Sequence, residues 1–230
     1  MNVYEITLKV YLLKPISIEE SQEKIAELID KALAKNDEFL EMHNENTFKN
    51  YCFNSFYPID ESGIYKADSI YTLKIRTINK DLAQYLNNIL ANEYTSWIKG
   101  LVTEIRIIPK KHIEKIYSIT PVILKNNDGY WKNCITFEAF EKRIKENLIK
   151  KYNFINNEKL DEDFELYTAI ELKNKKPIAI SYKGKRILGD KINIVLSDDP
   201  RAQELAYMAI GTGIGEMNAR GQGFVNFRWI

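Results

Sequence analysis

The feature that most limits how this chain can fold is a hydrophobic pattern whose period switches between two and 3.6 residues in a set order. Tyr4, Ile6, Leu8, Val10 and Leu12 alternate with polar positions, which predicts a half-buried strand. Ser17 and Glu20 of "SIEE" have capping-box spacing. Ile25, Leu28, Ile29, Ala32 and Leu33 then follow at helical spacing to about Lys35. A polar loop, "NDEFLEMHNENTFKN", leads to a strand over 51–57, and after a turn at 61–63 the run "SIYTLKIRTI" alternates again. "NKDLAQYLNNILAN" predicts a helix capped by Asn79, with Leu82, Tyr85, Leu86 and Ile89 inward, and "LVTEIRIIP" is a closing strand. The order β-α-β-β-α-β is that of a ferredoxin-like unit.

The second half repeats the order without repeating the residues. "IYSITPVILK" predicts a strand, "NNDGYW" a turn, and Thr136 the cap of a helix carrying Phe137, Phe140, Ile144 and Leu148. Strands follow over 164–172, 177–182 and 192–196, with "YKGKR" a basic turn before the last of them. Asp199 caps a final helix with Pro200 at its first position and Leu205, Met208 and Ala209 inward. "FVNFRWI" closes the chain as a strand. The expected architecture is α+β: two tandem ferredoxin-like lobes, 1–110 and 111–230, packed tightly and joined at 109–111.

Composition narrows the class. Hydrophobic residues make up 45% and charged residues 28%, with a net charge of +1, so a nucleic-acid surface would require uneven placement of charge. Acidic runs "IEESQEK" and "NEKLDEDFE" leave room for such a basic face elsewhere. The charged, alternating start matches neither a signal peptide nor a membrane span, and the expected location is the cytoplasm. Cys52 and Cys134 lack metal spacing and read as free thiols. No zinc motif, nucleophile elbow or Walker lysine is present, so no metal or cofactor is expected.

Five of the ten glycines lie between Gly211 and Gly223, in "GTGIGEMNARGQGFVNF", after a helix and before the last strand. That placement does not suit a dinucleotide-binding fingerprint, whose glycines follow a strand and open a helix. Together with "SITPVILKNNDGYW" and "ILGDKINIVLSDDP", the loop resembles the glycine-rich loop of the CRISPR-associated endoribonucleases that process precursor crRNA. These belong to the RAMP superfamily of ferredoxin-like, RRM-like folds. Met217 stands where the family usually has a basic residue, and Gln222 where it has an aromatic one. The resemblance implies that Gly213, Gly215, Gly221 and Gly223 hold RNA through bare main-chain amides, with Arg220 restoring the missing positive charge. The basic turns "KNKK" (Lys173–Lys176) and "KGKR", with Lys183, Lys185 and Arg186, are together with Arg201 the remaining candidates for gripping a repeat stem.

Histidine is scarce, limited to His43 and His112, and only histidine has an unperturbed pKa suited to proton transfer near neutrality. His43, with Lys49 six residues on, resembles the family's catalytic segment. The resemblance implies attack by a ribose 2′-hydroxyl on the adjacent phosphorus, leaving a 2′,3′-cyclic phosphate and a 5′-hydroxyl without a metal. His43 is then general base or general acid, and Lys49 stabilises phosphate charge. The tyrosine that many members carry on the first helix is absent, so Tyr51 or another tyrosine substitutes, or the pair acts alone. His112 reads as a solvated linker residue. The implied partners are CRISPR repeat RNA and a multi-subunit crRNA effector complex, with homodimerisation open. A non-catalytic RNA-binding subunit of such a complex is the alternative reading, and a metabolite-binding regulatory domain a more distant one.

Overall fold

The computed structural model describes residues 1–45, 47–126 and 129–230. The expected turn at 126–131 therefore lies partly outside the described residues. In the first half, β1 (Val3–Leu12), β2 (Ile16–Ser17), α1 (Ser21–Leu33), α2 (Asp37–Asn44), β3 (Tyr51–Phe53), β4 (Ile64–Tyr65), β5 (Ile70–Thr77), α3 (Lys80–Ile89) and β6 (Ile98–Ile108) follow in order. A four-stranded antiparallel sheet has the order β3-β5-β1-β6. The alternation of β1 explains its two faces. Ile6, Leu8, Val10 and Leu12 are fully buried with Ile25, Leu28 and Ile29 of α1 and Leu82 and Leu86 of α3.

The second half holds β7 (Ile113–Ser118), α4 (Phe137–Asn156), β8 (Tyr167–Leu172), β9 (Ile178–Tyr182), β10 (Lys185–Gly189), β11 (Ile192–Leu196), α5 (Pro200–Thr212) and β12 (Val225–Trp229). Its main sheet runs β12-β7-β11-β8. Both sheets thus place the fourth strand of the unit beside the first, then the third, then the second, as two ferredoxin-like lobes. Asn79, Thr136 and Asp199 cap α3, α4 and α5 by accepting from Leu82, Ala139 and Arg201 amides.

Several local expectations change. Ser17 and Glu20 do exchange bonds, but the helix begins one turn later, at Ser21, and residues 17–20 form a separate turn. The segment expected as a polar loop contains α2, capped by Asn36 and anchored by buried Phe39. One buried side chain over two turns leaves no periodic signal. "YKGKR" is not simply a turn. Lys183 and Gly184, both with positive φ, form the tip of a β9–β10 hairpin that takes in Lys185 and Arg186. The strand expected over 116–125 ends at Ser118, and beyond it Val122 and Ile123 make isolated bridges to Asp190 and Glu216.

The lobes meet through α5, whose residues from Leu205 to Thr212 are all buried. A helix apolar all round is a helix covered all round. Tyr207 donates to the Ile108 carbonyl and accepts from the Val3 amide, tying α5 to the first sheet. Glu5 and Arg76 form a second tie. Both are essentially buried, Arg76 Nε donates to Glu5 at 2.7 Å, and its other nitrogens donate to the Val225 carbonyl and Asn226 of β12. Because α5 leads directly into the glycine loop, docking it between the sheets carries that loop to the first lobe.

Candidate active site

The loop after α5 is wound on itself. The amides of Gly213, Ile214, Glu216, Gly221, Gln222 and Gly223 donate to carbonyls of Ala209, Gly223, Ile123, Asn218, Met217 and Pro121. All four glycines expected to hold RNA are buried. A side chain on Gly223 would overlap the Ile214 carbonyl, and one on Gly215 would lie 2.6 Å from the Ile123 oxygen. The expectation of bare amides offered to phosphates is therefore corrected at Gly213, Gly221 and Gly223, whose amides are engaged inside the protein. The glycines permit close backbone packing, and the cavity-facing part of the loop is the stretch 215–220.

That stretch forms one wall of a cavity of about 360 Å³. The opposite wall comes from α2 and the residues leading into β3, and among its lining side chains are His43, Lys49, Lys125, Lys151, Tyr182 and Arg220. Arg220 Nη2 lies 3.2 Å from His43 Nε2, and its Nη1 lies 2.5 Å from the Asp30 carboxylate on α1. The same imidazole nitrogen is 3.6 Å from the other Asp30 oxygen. A guanidinium only donates, so this contact takes His43 Nε2 as acceptor, which fits a neutral ring protonated on Nδ1; that Nδ1 is buried with no partner among the described residues. Burial is the main cause that holds His43 below its ordinary value near 6.5; the Arg220 and Lys49 charges add to it and Asp30 opposes it. Burial draws the Arg220 guanidinium down, but the bond to Asp30 and the charge around it together outweigh burial and keep it charged.

Lys49 caps the carboxyl end of α2, donating to the Met42 carbonyl at 2.7 Å and to the Glu45 carbonyl. An ammonium has three donors, so one remains for a ligand. Burial, more than the nearby Arg220 charge, lowers its pKa. Tyr51 is placed differently from expectation. It is 1% exposed in the first-lobe core, and burial raises its phenol far from any neutral-pH titration. It packs beside the cavity with its hydroxyl buried and without a partner among the described residues, while half-buried Tyr182 stands at the cavity from the second lobe.

The basic candidates separate. Lys183 lines a smaller adjoining cavity of about 150 Å³ that shares Tyr182, Met217 and Arg220 with the first. Lys185 is exposed on the hairpin, and Arg186 is paired with Glu19, in the turn before α1, at 2.8 Å. Arg201 is not part of the site. It sits at the opposite end of α5, about 18 Å away at helical rise, bound to Asp199 and Asp161. His112 pairs with Asp198 on the surface.

Asp30, Lys125, Lys151 and Tyr182 escaped the sequence reading. Asp30 carries no mark that separates it from any solvated helical acid. Lys151 does carry one: it continues the buried stripe Phe140, Ile144, Leu148 of α4 and is 2% exposed. Among the described residues no group of three or more metal-ligating side chains is clustered, and no helix is long and apolar enough to cross a membrane.

Residues 106–227, from the last strand of the first sheet through the loop and into β12, match the family described as CRISPR associated protein Cas6, C-terminal. The chain belongs to that family. A curated relative, CRISPR-associated endoribonuclease Cas6 2 of Methanocaldococcus jannaschii, is 25% identical over 224 residues, covering 85% of this chain and 87% of the relative. Among solved structures, a Cas6-related gene product from Pyrococcus furiosus superposes with a TM-score of 0.72 at 20% identity, covering 98% of each chain. A RAMP protein described as binding different RNA substrates gives a TM-score of 0.71 at 19% identity, covering 98% of this chain and 99% of that one. The two-lobe arrangement is thus the Cas6 fold.

Proposed function

We propose that this Cas6 protein cuts CRISPR repeat RNA by metal-independent attack of a ribose 2′-hydroxyl, with His43 as general base. The supporting observation is the meeting of a neutral imidazole with the Lys49 and Arg220 cations on one cavity between the lobes, with Arg220 held by the Asp30 carboxylate. The nucleophile is tethered beside the scissile phosphorus, so the substrate itself supplies most of the proximity.

The 2′-hydroxyl proton passes to His43 Nε2 while the 2′ oxygen bonds to phosphorus. The bond to the 5′ oxygen breaks, and that oxygen takes a proton, for which the Lys49 ammonium is the candidate acid. A 2′,3′-cyclic phosphate and a 5′-hydroxyl result. Arg220 occupies His43 Nε2 in the free protein. An entering phosphate competes for the guanidinium, freeing Nε2 and placing the positive charge where the phosphorane develops. In this reading 1–110 contributes the acid–base lobe and 111–230 the loop lobe. The product is handed on to a multi-subunit effector complex in the cytoplasm.

The test is incubation with repeat RNA in EDTA, beside the same RNA carrying a single 2′-deoxy at the cut. Cutting of the first alone supports the reading. Binding of both with no cutting would instead make the protein a non-catalytic RNA-binding subunit.

A further inference from the structure

We infer that Lys151 is a positioning residue for this cleavage, holding from beneath the turn that delivers Arg220 to His43. The inference deepens the reading just given and rests on it for the catalytic part.

Burying a lysine costs several kcal/mol unless its charge is compensated. Lys151 faces three oxygens: the Gly213 carbonyl at 2.9 Å, the Gly215 carbonyl at 2.9 Å and Asn218 Oδ1 at 2.6 Å. Three acceptors match the three N–H bonds of an ammonium, one more than a neutral amine offers. The Gly213 carbonyl also lies just past the carboxyl end of α5, where the helix dipole favours a cation. Burial outweighs the nearby negative charge, chiefly of Cys52 and Glu216, and draws Lys151 down to about 7, so the three acceptors are what call for the ammonium form. A neutral amine would leave one of the three oxygens unpaired, and an apolar side chain in its place would leave all three.

The brace leads to the chemistry by a short path. Asn218 turns its amide nitrogen to the Ile214 and Gln222 carbonyls at 3.0 and 2.9 Å, spanning the loop. It also opens the single turn Asn218–Arg220, whose last side chain binds His43 and Asp30. On the same face of α4, one turn beyond Lys151, Phe154 packs edge-on against Phe48 at 5.7 Å, next to Lys49. One helix face therefore supports both walls of the cavity.

The experiment combines an NMR titration with cleavage kinetics. The histidine ring carbon-bound protons of His43 and His112 are followed against pH in the wild type, K151M and N218A. In K151M the turn releases Arg220, whose charge lowers His43, so His43 should titrate at higher pH while His112 stays in place. Single-turnover cleavage of repeat RNA should fall about 10- to 100-fold, as expected for a misplaced catalytic group. Affinity for the 2′-deoxy RNA should hold within about threefold, because the loss falls on the transition state. N218A, at a half-buried position that leaves two carbonyls on Lys151, should show the same changes in smaller size. It decides the question if K151M does not fold. Cooperatively folded variants with both the His43 titration and the cleavage rate unchanged would overturn the inference. A shifted His43 titration in a protein whose wild type cuts no RNA would sink the catalytic reading and leave the brace standing.

Discussion

Arg220 and His43 are 177 residues apart in the chain and meet at 3.2 Å across the junction of the lobes. Asp30 closes the triangle by holding the guanidinium and standing 3.6 Å from the same imidazole nitrogen. These contacts hold the imidazole and the guanidinium together, and in the proposed reaction an entering phosphate draws the cation away.

Acidic pH should switch cleavage off through His43. A general base works unprotonated, and burial with the Arg220 and Lys49 charges holds the ring below 6.5. The rate should therefore be on a plateau at neutral pH and be lost as pH falls through that lowered value. Asp30→Asn removes the group that raises His43, so the acidic limb of kcat/KM against pH should move lower. A limb that stays fixed would mean that Asp30 does not sense the ring.

Arg220→Ala should cost about 100-fold or more in single-turnover rate, the range for removing a preorganised donor from developing charge. It should also weaken RNA binding and reduce the slope of log affinity against log salt by about one. Arg201→Ala, at the far end of α5, should leave the rate and the slope unchanged.

Gly223→Ala should lower the melting temperature sharply or prevent folding, because its Cβ would overlap the Ile214 carbonyl and its φ is +65°. Gly63→Ala offers the contrast. It shares a positive φ but has nothing within 4 Å, so its cost is backbone strain alone, about 1–3 kcal/mol. Equal losses at both positions would show that the loop is not closely packed.

Glu5→Gln should destabilise the fold by about 3–5 kcal/mol, the range for orphaning one member of a buried pair. Burial tends to raise Glu5, yet Arg76 and Lys74 outweigh it and hold its pKa below 4.5. A depressed carboxyl stabilises the fold above its unfolded value, and that contribution is lost as pH falls through the folded value. Acid unfolding of the wild type followed by circular dichroism should therefore include a proton uptake that the variant lacks.

Much of the architecture was legible because burial imposes periodicity. Ile6 to Leu12 alternate since one sheet face is covered, and Asn79, Thr136 and Asp199 announce helices because their side chains satisfy amides a few residues away. His43 was legible as a candidate through scarcity, though not as part of a helix, since α2 buries only Phe39 and shows no stripe. The hairpin that carries Lys185 and Arg186 away from a simple turn was hidden in a short polar run. Lys151 left a trace, a charge on an apolar stripe, whose meaning depends on what the stripe faces.

The sequence by itself determined the succession of strands and helices, the two-fold repetition of their order, and the glycine-rich close before the last strand. These follow from contacts within a few residues and from which face meets water. Tertiary structure alone decided that the loop's amides turn inward, that Arg201 lies outside the site, and that Asp30, His43, Lys151 and Arg220 converge. Those outcomes rest on α5 docking between two sheets, a packing of distant segments that no local pattern encodes.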